Sequence, residues 1–341
     1  MAKRIPEKEL RDFILNNLVE SPLNITRLVS EKFAISRQVI NYHLKKMENE
    51  GLISSTGTTR NKRFFVKPVH EIGFELDIIS GLEEHKVWKE RIEPLLKGYK
   101  SNVVSISNYG FTEMFNNVID HSEGSSVLIS IKVFPNKIEM MVHDNGVGIF
   151  NKIAREFHLD DQRHAILELS KGKLTTDPKR HSGEGIFFTS RIFDEFEIRS
   201  GKFNFSSSAG DDLLHDREKE TAGTAVFMTL NTNISRTMKE VFDKFVTGED
   251  YGFTKTHIPV SLLKYGEENL VSRSQAKRLL AGLQKFKEVI LDFKGVKSVG
   301  QAFADEIFRV FRNDHPDIKL IPVNTVDEVK KMITRAESHI S

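Results

Sequence analysis

Through the N-terminal part of the chain, apolar residues recur at helical spacing in three short runs. Over residues 7–19, Leu10, Phe13, Ile14 and Leu18 fall on one face, and "SPLN" ends the run. A second helix is predicted from about Ile25 to Phe33, joined by "AIS" to a third in which Ser36 is placed as N-cap. In that third run Ile40, Leu44 and Met47 point to a core and Gly51 stops the helix, which leaves Gln38, Asn41, Tyr42 and Lys45 on the opposite face. The pattern then changes to a hairpin, "GLISST" and "KRFFVKP" around "GTTRN", with Arg60, Lys62 and Arg63 near its tip.

The middle of the chain mixes both periods. "NYGFTEMFNNVIDHS" reads as a helix with Phe111, Phe115, Val118 and Ile119 toward a core, and with Glu113, Asn117 and His121 on nearly one other face. Two strands follow around "PNK", the second being "KIEMMVHD". Glycine-rich "SGEG" precedes a helix start, and "EKETAGTAVFMTL" reads as a strand opened by Gly223 and Thr224. From Thr256 onward, strands ("HIPVSLL", "EVILDFK", "DIKLIPVN") alternate with helices ("SRSQAKRLLAGLQKF", "QAFADEIFRVFRN", "VDEVKKMITRA"), the order of a parallel or mixed sheet covered by helices. Phe303, Ile307, Val310 and Phe311 are expected in that last core.

Charge sharpens the division. Residues 1–68 carry 13 Lys and Arg against 7 Asp and Glu, a net +6, and the remainder carries 37 against 41, a net −4. The basic end is therefore the candidate for a polyanion. The chain has no cysteine, which excludes disulfides, a thiolate nucleophile and Cys-based zinc. No apolar run of membrane-spanning length and no signal-like start is visible, so a cytoplasmic protein without membrane contact is expected.

Candidate chemistry lies in the middle. Glu113 and Asn117, one turn apart, suit Mg²⁺, which takes a few hard oxygen ligands and keeps water; Glu113 could equally deprotonate or orient a nucleophile. "HDNGVGIF" places Asp144 at a strand end, followed by Gly146 and Gly148, where backbone without side chains allows close approach of a ring or phosphate. Gly183 and Gly185 open a helix whose free amides suit anions, with Lys179 and Arg180 just upstream.

Taken in order, Glu113/Asn117, Asp144/Gly146/Gly148, Gly183/Gly185 and Gly223/Thr224 resemble the N box and three glycine boxes of the GHKL ATP-binding fold of gyrase and histidine kinases, over about residues 75–232. The resemblance implies an α/β sandwich (Bergerat fold) that binds ATP and Mg²⁺. It also implies that Asp144 accepts the adenine amino group with Thr224 in support, Asn117 coordinates magnesium, Gly183 and Gly185 face phosphates, and 150–181 form a mobile ATP lid. The two-glycine "HSGEGI" is similar to the anti-sigma-factor serine kinases. "EEHKVWKER" around His85 lacks the features of a phosphoacceptor hairpin, which argues against histidine autophosphorylation and leaves His70 and His85 as surface or packing residues.

The N-terminal pattern resembles the winged helix-turn-helix of bacterial transcription regulators, with "SRQVINYHLKKMENEGLI" as recognition helix, and implies DNA as a partner. The C-terminal pattern resembles the STAS domain of anti-sigma-factor antagonists. Where those partners carry a serine, this chain has Ala302 after Gln301, with Ser298 the nearest hydroxyl, so the module reads as a surface for a protein partner or a second copy. The expected organisation is a winged helix over 1–68, a GHKL domain over 69–250 and a STAS-like α/β module over 251–341. The favoured expectation is an ATP switch coupled to DNA binding; the alternatives are a serine/threonine kinase or slow ATPase with Glu113 as base, and a scaffold with a degenerate ATP site.

Overall fold

The computed structural model describes residues 5–18, 21–58, 61–175, 182–248, 252–264 and 268–338. Three helices, α1 (Glu7–Asn17), α2 (Ile25–Phe33) and α3 (Arg37–Asn49), pack against a hairpin of β1 (Ile53–Thr56) and β2 (Arg63–Val66). Ile14, Val29, Ile40, Leu44 and Met47 form its closed core, separate from that of the rest of the chain. Ser36 caps α3 by accepting from Val39 N, and Gly51, with φ 76°, lets the chain turn out of the helix. The first helix ends at Asn17, short of the expected Val19, which lies outside the described residues.

A five-stranded antiparallel sheet follows, ordered β3-β4-β5-β7-β6: β3 (His70–Asp77), β4 (Ser126–Val133), β5 (Lys137–Asp144), β6 (Glu195–Ser208) and β7 (Asp211–Asn231). Alternation drives it, because Val127, Ile129, Ile131 and Val133 of β4 and Ile138, Met140 and Val142 of β5 bury one face. Against that face lie the short α4 (Glu84–Val87) with the turns after it, and the long α5 (Ser101–His121) through Ile106, Phe111, Phe115 and Val118. Ile119 is only half-buried. Gly110 sits under the Phe193 ring, where an added Cβ would come 2.6 Å from Cζ, so glycine sets how closely α5 approaches.

Two expectations about this region need correction. The stretch expected as a mobile loop contains α6 (Ile149–Glu156) and α7 (Gln162–Lys171), with Ile166, Leu167 and Leu169 buried; its last residues, 176–181, lie outside the described set. Apolar residues spaced to cover a neighbouring core make helices of it. Strand β7 opens at Asp211, not at Gly223, which sits inside it with φ 65° where the register with β6 shifts. A positive-φ glycine inside a strand marks such an irregularity, which in sequence looks the same as a strand boundary.

After α8 (Gly185–Ile192) and α9 (Met238–Phe242) the chain builds a three-stranded parallel sheet, ordered β10-β9-β8, from β8 (Lys255–Pro259), β9 (Glu288–Asp292) and β10 (Lys319–Val323). The crossovers are α10 (Arg273–Leu280) and the continuous helical run from α11 (Gln301–Asp305) to α12 (Arg312–Asp314); α13 (Asp327–Glu337) closes the layer. Phe303, Ile307 and Phe311 are buried as expected, whereas Val310 is half-buried and Phe308 takes the core position, because π-helical turns over 306–311 rotate the face. The two sheets share one continuous hydrophobic core. Phe187 and Phe188 of α8 reach it through Phe245 and Phe253 to Phe286, ahead of β9.

Candidate functional site

Helix α5, the end of β5, α6 and the start of α8 enclose a cavity of about 420 Å³. Its far wall is Asp144, at the C-terminal end of β5 and directly paired with Thr224 on β7. Asp144 is 4% exposed, and its Oδ1 accepts from Gly146 N (2.8 Å) and Thr224 N (3.2 Å). Burial pushes the carboxyl above its usual range, against the two backbone N–H groups that favour the charged form. Thr224 Oγ1 in turn accepts from Ile149 N at 2.9 Å, which ties the start of α6 to β7.

Each glycine at this end serves a close approach. A Cβ on Gly146 would overlap Ser122 O, and Val147 N donates to that oxygen at 2.9 Å, so Gly146 lets the loop lie on the end of α5. Gly146 is not among the residues that line the cavity; in the ligand-free chain it docks this loop and donates to Asp144. Gly148 does line it, has φ 83°, and would set a Cβ 2.6 Å from Ser200 Oγ, which donates to Gly223 O. A Cβ on Gly223 would overlap Asp144 O, so the β5–β7 contact that holds the carboxylate also depends on glycine.

The opposite wall is the glycine turn into α8. Gly183, with φ 71°, abuts Leu174, whose carbonyl oxygen would lie 2.5 Å from an added Cβ. Gly185 opens α8, and a Cβ there would overlap the Glu113 carboxylate, so Glu113 and the N-terminal turn of α8 touch. Asn117 and His121 continue the same face of α5 along the cavity, as the spacing predicts. Glu184 is raised above the usual carboxylate range by burial, against the pull of Lys173. Tyr109, one turn before Glu113, is likewise raised by burial and by the charges of Glu113 and Glu184.

This wall fits an anionic group held by backbone N–H donors in a cradle that a side chain would fill. Glu113 and Asn117 carry hard oxygens of the kind that would suit a magnesium ion. The sequence did not single out Lys152, Leu174 or Thr175, which also line the cavity. Lys152 Nζ is drawn to Glu123 (3.1 Å) and Glu156 (3.5 Å). The helical period of α6 was the signal that could have placed Lys152 there.

At the other end of the molecule, Gln38, Asn41, Tyr42 and Lys45 lie together on the exposed face of α3, with Val39. Arg63 is also exposed, but Lys62 is held by Glu48 at 3.5 Å and lies over the Phe64 ring. Arg60, Lys179 and Arg180 lie outside the described residues. His70 and His85 are exposed, as expected.

Two family models match. Residues 95–204 match the histidine kinase-like ATPase domain, which brings with it nucleotide binding, usually with Mg²⁺. Residues 275–330 match the STAS-like domain of unknown function (DUF4325), a kind of module that suggests protein interaction. No curated protein matches the chain. The chain thus carries a histidine-kinase-like ATPase domain followed by a STAS-like domain, a combination that fits a regulatory ATP-binding protein. Among the described residues no helix is long and apolar enough to cross a membrane.

Proposed function

We propose that this protein is an ATP-binding switch whose nucleotide state is transmitted to a DNA-binding winged helix and a STAS-like interaction module. The observation that carries the reading is the cavity itself, with the buried Asp144 carboxylate at one end and the Glu113–Gly185 contact at the other. Asp144 accepts the adenine amino group, supported by Thr224, and Gly148 keeps that end open to the ring. Gly183 and Gly185 present amides to the phosphates, and Asn117 holds magnesium. ATP bound there supplies a polyanionic group that a glycine-lined helix start can approach closely.

DNA is read by α3. Its exposed Gln38, Asn41, Tyr42 and Lys45 combine hydrogen-bonding groups for base edges with a cation for phosphate, and Arg63 extends the basic surface onto the hairpin. Mg-ATP should raise the melting temperature of the wild type clearly more than that of Asp144→Asn at the same ligand concentration; an equal shift in both sinks the assigned pocket.

One observation favours a second reading, a serine/threonine kinase or slow ATPase. Glu113 touches the phosphate-side wall, where a carboxylate can take the proton of an attacking hydroxyl or water. Radiolabelled ATP turnover in wild type against Glu113→Ala decides it, and equal ADP release from both removes the enzyme reading.

A further inference from the structure

The α6–α7 segment holds a charged group that nucleotide binding does not explain. Lys171, the last residue of α7, has a side chain 3% exposed. Its ammonium donates to Glu168 Oε1 at 2.6 Å and to the backbone oxygens of Arg278 and Ala281, each at 2.9 Å. Those two carbonyls belong to the C-terminal end of α10 in the STAS-like domain, where a cation meets the negative end of the helix dipole. In the opposite direction, Thr256 of β8 donates to Lys171 O at 2.7 Å. Burying an ammonium costs free energy unless partners surround it, and here most of the partners come from the other domain.

The chain leaving this anchor runs straight to the nucleotide cavity. Gly172, with φ 78°, passes so close to Phe253 that a Cβ would lie 2.6 Å from Cε1, and 3.1 Å from Cγ of Phe187 on α8. Lys173 Nζ donates to Lys285 O (3.0 Å), and Lys285 Nζ returns a bond to Lys173 O (3.1 Å). Leu174 and Thr175 then line the cavity, and Leu174 lies against Gly183. A few residues at no more than about 3.6 Å each leave little slack between anchor and wall.

We infer that the STAS-like domain is a structural part of the nucleotide site, with Lys171 as the positioning residue that anchors the phosphate-side wall on the C-terminal end of α10. Nucleotide at the wall and any event at that end of α10 are then linked in free energy, each altering the other. The inference rests on the ATP-binding reading. The STAS-like domain is then the module that senses the bound phosphates, through the Lys171 contact with the end of α10.

The test uses the full chain and two ligands. Adenosine reaches only the Asp144 end, whereas Mg-ATP also engages the anchored wall. In Lys171→Met combined with Glu168→Gln, which leaves no unpaired buried charge, Mg-ATP should bind about tenfold more weakly and adenosine within about twofold of wild type. In wild type, Mg-ATP should also slow backbone hydrogen exchange over residues 273–285, none of which lines the cavity. Equal losses for both ligands, or no loss for either, overturn the anchor, as does unchanged exchange over 273–285 in a chain that binds Mg-ATP. If wild type binds no Mg-ATP, the nucleotide reading itself fails and the anchor falls with it.

Discussion

Replacing Asp144 with asparagine separates recognition from folding. Oδ1 of Asp144 holds the N–H groups of Gly146 and Thr224, and an asparagine side-chain oxygen can keep both bonds. Its NH₂ then occupies the place of the second carboxylate oxygen and presents a donor where the adenine amino group needs an acceptor. One charge-assisted hydrogen bond contributes about 1.5–3 kcal/mol, so Mg-ATP affinity should fall roughly 10- to 150-fold. The ligand-free protein should not suffer. Burial raises the Asp144 pKa above its unfolded value, so this group favours folding most below the unfolded pKa and loses that contribution as pH rises through the folded one. At neutral pH the buried carboxylate is therefore a cost that a neutral amide removes. Isothermal titration calorimetry and thermal unfolding of both chains give the two numbers. Unchanged Mg-ATP affinity refutes the adenine contact; a collapse of the ligand-free melting temperature shows that Asp144 serves the fold instead.

Gly146→Ala places a Cβ against Ser122 O, a backbone atom that cannot swing away, and should destabilise by about 1–3 kcal/mol, read as a lowered urea midpoint. Leu44→Ala, at the centre of the closed N-terminal core, should cost about 2–5 kcal/mol locally and abolish DNA binding while Mg-ATP binding survives. Lys45→Ala should weaken DNA binding across sequences and reduce the salt slope by about 1, with anisotropy titrations at several salt concentrations as the check. Burial alone would raise Glu168, but the nearby His164 ring, 3.6 Å away, and the Lys171 ammonium outweigh it and hold its pKa low. Its contribution is present above the unfolded pKa and lost as pH falls through the folded value, so Glu168→Gln should flatten the acid limb of the stability profile.

The sequence revealed much of the site because its parts sit where local geometry dictates. The i, i+4, i+8 spacing of Glu113, Asn117 and His121 put all three on the cavity, and the strand end at Asp144 put the carboxylate opposite them. What it could not reveal depends on distant partners. Gly146 reads as open backbone until Ser122 O appears above it, and Gly223 reads as a strand start until its contact with Asp144 O is seen. Residues 150–181 read as a loop because the apolar positions of α6 and α7 cover surfaces that other elements supply. Lys171 gave no signal at all, since two of its three ammonium partners are backbone carbonyls more than a hundred positions away. The N-terminal unit was the most legible, its core being made of local helical faces and one hairpin.

The central claim is that nucleotide and DNA are coupled through one chain. Fluorescence anisotropy of a DNA duplex, titrated with the full protein with and without saturating Mg-ATP at fixed salt, tests it most directly. A changed DNA affinity is expected, about 5- to 150-fold if the coupling is of ordinary size, matched by an equal change in Mg-ATP affinity when DNA is bound, and reached in Asp144→Asn only at correspondingly higher Mg-ATP. Identical DNA curves with and without Mg-ATP, in a protein that binds both, would contradict the account.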